Sequence, residues 1–104
     1  MAWVVLVLSG VLEAVWATAL GKAGAFTRTV PTLVFVVGIV LSMAGLAFAL
    51  RSLPTGTAYA VWVGIGAAVT VAYAMVTGDE SVSALKAVLL LGIVCCVVGL
   101  KLVN

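Results

Sequence analysis

Residues 2–20 read AWVVLVLSGVLEAVWATAL, an apolar run interrupted by one charge, Glu13. About 20 such residues in a helix cross a bilayer core of about 30 Å, so the stretch predicts a transmembrane helix. Runs of similar length predict three more helices, over about residues 31–50, 57–76 and 83–101. The segments between them, GKAGAFTRTVP, RSLPTG and GDES, read as interfacial turns. Pro31 is tolerated in a first helical turn, and Ser81 or Ser83 is available to cap the fourth helix. Connections this short force neighbouring helices to run antiparallel. No Lys or Arg precedes Lys22, so the first segment is expected to be a mature helix and not a cleaved leader.

The composition points to the same solvent. Of 104 residues, 66% are hydrophobic and 8% charged, whereas a soluble domain carries about 25% charged residues. So little polar surface cannot cover a soluble globule. The expected fold class is an all-α integral membrane protein with four transmembrane helices per chain, forming a single transmembrane domain over residues 1–104. Four helices of this length enclose too little space for a transport pathway, so a dimeric bundle is expected. Five basic residues spread over the whole chain exclude nucleic-acid binding. There is no His and no CxxC pair, so no metal site is expected. Cys95 and Cys96 are adjacent and point about 100° apart on a helix, which suits packing rather than pairing. No nucleophile–base pair or phosphate loop is present, so neither an enzyme nor a bound cofactor is expected.

Charge distribution bears on orientation. Arg51 and Lys101 fall on the side of the N-terminus, and Lys22, Arg28 and Lys86 on the other, two against three. Orientation follows the Lys and Arg bias of short loops, and here that bias is nearly absent. Two copies inserted in opposite senses would form an antiparallel dimer with a two-fold axis in the membrane plane, the symmetry of many transporters. Gly92 and Gly99, seven residues apart on the fourth helix, make a smooth stripe for close helix approach. They are read as a dimer contact in preference to packing within the chain.

Glu13 is the one acidic residue inside any predicted helix. A carboxylate at membrane depth is costly and is functional by default, and the basic residues all lie near helix ends, where they snorkel to water. A carboxyl group that releases its proton there needs a cation in its place. Proton and organic cation then compete for one group, which is enough for exchange if the site opens to one side at a time. Ser9, Gly10, Trp16 and Ala17 share the Glu13 face of the helix. Gly10 and Ala17 leave room, Ser9 offers a hydroxyl to the carboxylate, and Trp16 offers an indole N–H and an aromatic face. Tyr59 and Trp62, at i, i+3 near the start of the third helix, read as site residues or as an interfacial aromatic belt. Trp3 and Tyr73 read as belt or packing residues. Ser42 is the polar residue in the middle of the second helix, where a serine often bonds its own backbone. Gly64 and Gly66 read equally as a hinge or as positions of close helix packing.

These residues carry a resemblance. The chain resembles the small multidrug resistance transporters over its full length: four helices, Glu13 in the first, GAFTR after it, and LPTGTAYAVWVGIG over residues 53–66. Within that family EAVW at residues 13–16, Ser42, and the closing Gly99-Leu100-Lys101 are similar to the guanidinium exporter subtype. The resemblance implies an antiparallel homodimer in a bacterial plasma (inner) membrane, exchanging protons for guanidinium-type cations at Glu13 of both subunits. It further implies that Trp16, Ser42, Tyr59 and Trp62 hydrogen-bond and orient those carboxylates, and that Gly10 lines the site. Met43-Ala44-Gly45 is smoother than the subtype pattern and is expected to widen a portal between the second helices, admitting bulkier cations. Export of quaternary ammonium or other lipophilic cations is therefore an alternative. A small structural or regulatory membrane subunit is an alternative of another class.

Overall fold

The computed structural model describes residues 1–103. Its elements are α1 (Ala2–Lys22), α2 (Thr29–Ala49), α3 (Thr55–Thr77) and α4 (Ala84–Val103), and there is no strand among the described residues. All four helices are long and apolar enough to cross a membrane. α2 starts at Thr29, so Pro31 falls in its first turn, where no intrahelical donor is lost. α3 follows Pro54, whose carbonyl accepts the Ala58 N–H at 2.9 Å. It stops at Gly78, whose φ of +85° is the left-handed conformation that terminates helices. Ser83 caps α4, its Oγ accepting the Lys86 N–H at 3.4 Å.

α1 is the central helix, packed between α2 and α3, while α4 packs mainly on α3. The result is a slab measuring 41 × 34 × 17 Å. Large side chains fill the half nearer Arg51, where Leu6, Leu46, Val61 and Trp62 are buried around Ala49 and Ala58. The other half buries small residues: Ala14, Ala19, Gly38, Gly66 and Ala68. Small residues leave space, and cavities open there. α4 buries none of its residues. A Cβ added to Gly92 or Gly99 meets nothing within 4 Å, so neither glycine serves packing within the chain.

The α1–α2 contact depends on absent side chains. A Cβ on Gly38 would lie 2.9 Å from Trp16 Cβ, and one on Gly45 would lie 2.7 Å from Ser9 Cβ. Gly45 is therefore spent on helix approach inside the chain, and of the trio read as a portal only Met43 and Ala44 are exposed. The turn side holds two ion pairs, Lys22–Asp79 at 3.1 Å and Lys86–Glu80 at 3.2 Å. On the opposite side Arg51 lies 5.5 Å over the Phe48 ring and Lys101 5.8 Å over the Trp3 ring.

Candidate functional site

Glu13 leaves α1 toward α3 and lies across the backbone of Gly66. A Cβ at Gly66 would overlap Glu13 Oε1 and stand 2.5 Å from Cδ and 2.9 Å from Cβ of the same side chain. Glycine at this position is what lets the carboxyl group reach α3. The group lines an open cavity of about 270 Å³ with Trp16, Ala17, Gly66 and Thr70, bordered otherwise by Val63, Ala67 and Val71. Glu13 Oε1 and Trp16 Nε1 are both buried, and neither has a hydrogen-bond partner among the described residues. An acceptor and a donor of this kind are costly when buried unpaired. Their proximity around one cavity suits a small polar cation that donates to the carboxylate and stacks on the indole.

The other polar residues form a separate chain of hydrogen bonds. Trp62 Nε1 donates to Ser42 Oγ at 3.2 Å, and Ser42 Oγ donates to the Ser9 carbonyl at 2.7 Å. Ser9 Oγ donates to Leu6 O in its own helix at 2.9 Å, so it is used locally and does not reach Glu13. The link to Glu13 is made by the backbone. In an α-helix the residue 9 carbonyl accepts the residue 13 N–H, so the Trp62–Ser42 relay grips the carbonyl on which Glu13 hangs. It ties α1, α2 and α3 together one turn before the carboxylate. Ser42→Ala is expected to leave the Trp62 N–H unpaired and to cost about 0.5–2 kcal/mol, as interhelical hydrogen bonds in membranes do. A fall in thermal unfolding temperature in detergent, with helical content retained, checks this.

The remaining expectations are placed as follows. Gly10 is buried against α3, where a Cβ would stand 3.0 Å from Ile65 Cβ and 3.3 Å from the Trp62 carbonyl; it closes the α1–α3 contact and does not line the cavity. Tyr59 is 55% exposed and leans on Trp62 with ring centroids 6.0 Å apart, and it does not line the Glu13 cavity. α3 runs unbroken through Gly64 and Gly66. A Gly64 Cβ would meet Val97 Cγ2 at 2.8 Å, so the two glycines face different neighbours, α4 and Glu13. Sequence reasoning passed over Thr70. It lines the cavity and donates from Oγ1 to the Gly66 carbonyl at 2.6 Å. Its one sequence signal is a hydroxyl four residues after Gly66.

Comparison with known proteins shows the family. Residues 1–94 match the family described as Small Multidrug Resistance protein. The chain is 44% identical over 102 residues to the guanidinium exporter of Escherichia coli (strain K12), covering 98% of this chain and 97% of that one. It is 44% identical over 105 residues to the guanidinium exporter of Yersinia pestis and 38% identical over 104 to that of Proteus vulgaris, each covering both chains completely. With four membrane-crossing helices and a family match across nearly its whole length, this chain belongs to the small multidrug resistance family.

Proposed function

We propose that the protein is a proton-coupled antiporter exporting guanidinium-type cations across a bacterial plasma membrane, with proton and cation competing for Glu13. The observation that carries the reading is the buried, unpartnered pair of Glu13 Oε1 and Trp16 Nε1 at one cavity. Guanidinium is planar with a fork of donors, and a carboxylate accepts two parallel N–H bonds from it. The names of the relatives point to the same substrate.

The working unit is two copies in opposite orientation, each supplying a Glu13. Support comes from α4, which buries nothing in one chain and carries the smooth Gly92–Gly99 stripe as the contact surface. Gly64 and Gly66 let α3 flex as the site turns from one side to the other. An inward proton gradient then drives the cation out.

Competition sets the sign of the pH dependence. Lower pH fills Glu13 with protons, so the apparent Kd for guanidinium rises as pH falls, with a limiting slope of about tenfold per pH unit for each proton displaced. Binding titrations across pH and transport currents in liposomes measure both. A Kd independent of pH would refute the competition. Currents only with quaternary ammonium or lipophilic cations would assign the chain to multidrug export, and no current with any cation would leave the structural-subunit reading.

A further inference from the structure

The stretch GAFTR at residues 24–28 has a conformation that transport does not by itself require. Gly24, Ala25 and Phe26 are all left-handed, with φ of +57°, +57° and +70°. Glycine adopts that region freely, but alanine and phenylalanine do so only where the surroundings impose it, and such residues cluster at functional sites. The turn is closed on itself. The Arg28 N–H donates to the Ala23 carbonyl at 3.0 Å, and the Thr27 N–H and Oγ1 both donate to the Gly24 carbonyl, at 3.2 and 2.6 Å. Ala23 anchors it, fully buried.

This turn delivers the Phe26 ring onto Phe35 of α2, with centroids 5.8 Å apart and planes at 46°. Phe35 in turn meets Trp16 at 5.9 Å and 69°, edge to face. Both spacings lie within the range in which aromatic pairs attract. Trp16 therefore sits at the inner end of a three-ring chain whose outer end, Phe26, is 58% exposed. Among the described residues the Trp16 N–H has no hydrogen-bond partner to orient the indole. Trp16 packs against the buried cluster on one side, Gly38 lies under its Cβ and gives it no side-chain wall, and Phe35 with Phe26 behind it supplies the aromatic support.

We infer that Phe26 is a positioning residue: held by the left-handed turn, its ring fixes Phe35 and thereby the angle at which the Trp16 indole faces the cation cavity. The effect on substrate rests on the proposed guanidinium site. The effect on Trp16 does not.

The test uses the full-length protein in detergent, labelled with 5-fluorotryptophan. Its three tryptophans give fluorine resonances, and Trp16→Phe identifies the one from Trp16. Phe26→Ala removes the ring. Phe26→Gly removes it while favouring the positive φ, and Phe26→Tyr keeps it. The Ala and Gly variants are expected to shift or broaden the Trp16 resonance in the absence of any ligand, leaving Trp3 and Trp62 in place as reporters of an intact fold. Both are expected to weaken guanidinium binding by about two- to tenfold, the factor that corresponds to one aromatic pair, and Phe26→Tyr restores both readouts. A Trp16 resonance unmoved by Phe26→Ala overturns the inference. So does a wild-type-like Phe26→Gly, which would give the role to the turn and not the ring, and so does a moved resonance with unchanged guanidinium affinity. Wild-type protein that binds no guanidinium defeats the proposed function, while the ligand-free resonances still decide whether Phe26 positions Trp16.

Discussion

Glu13→Gln is expected to abolish proton-coupled transport and to weaken guanidinium binding by about 100-fold or more. Glutamine matches glutamate in size, so it fits over Gly66 as the native side chain does, and the helices have no reason to move. What is lost is the charge. A cation drawn into this cavity leaves water for a lining of mainly Ala, Val and Gly, with Glu13 as its one acidic group. Removing one partner of a desolvated ion pair costs about 3–5 kcal/mol, which corresponds to a factor of about 100 to several thousand. An amide also has no proton to exchange across this pH range, so any residual binding should be independent of pH. Glu13→Asp separates the two effects: it keeps a titrating group with shorter reach, and weaker but still pH-dependent binding is expected. Calorimetric titration at two pH values, beside liposome flux, measures all of this. PH-dependent binding surviving in the glutamine variant would place the shared site elsewhere.

Gly66→Ala is expected to be the most damaging small substitution outside α1, lowering guanidinium affinity by about 10- to 100-fold, as displacement of a binding group by about 1 Å does. The added Cβ would occupy the position of Glu13 Oε1 and approach Cδ to 2.5 Å. Those terminal atoms can rotate away, but that takes the carboxylate out of its cavity. Glu13 Cβ, at 2.9 Å from the added carbon, is fixed to the α1 backbone, so rotation alone does not relieve the clash. Gly64→Ala is the internal control. Its Cβ would press on the methyl groups of Val97 and Ile93, at 2.8 and 3.6 Å, on the far side of α3. Overpacking there typically costs about 1–3 kcal/mol of stability and should leave affinity near that of wild type. Equal losses of affinity in the two variants would make cation binding depend on α3 as a whole and would argue against a steric role specific to Gly66.

Orientation of the chain in the membrane is a looser matter. Two of the three basic residues on the turn side are ion-paired, Lys22 with Asp79 and Lys86 with Glu80. These pairs are about half exposed, and such surface pairs contribute at most about 1 kcal/mol. Their value is more geometric than energetic, because Lys22–Asp79 joins the end of α1 to the turn after α3.

Chain chemistry alone sets the large features. Four apolar runs without a soluble domain's complement of charge have only lipid as a solvent, so helix number and antiparallel order follow from length, hydropathy and loop size. One carboxylate among those runs stands out for the same reason, since its burial has to serve some purpose. Packing assigns everything that depends on which faces meet. Ser9 is on the Glu13 face of α1, yet its hydroxyl turns back to Leu6 and its carbonyl is claimed by Ser42 of α2. Periodicity places a side chain on a face but does not name its partner. Gly64 and Gly66 are two residues apart and look interchangeable in the sequence, but 200° of helical rotation sends one to α4 and the other under Glu13. Gly45 reads as part of an open portal and is instead consumed by the approach of α1, because glycine is silent about what it makes room for until its neighbour is known. The left-handed turn that brings Phe26 to Phe35 follows the same rule: the residues are visible in the chain, but the contact exists only once α1 and α2 are side by side.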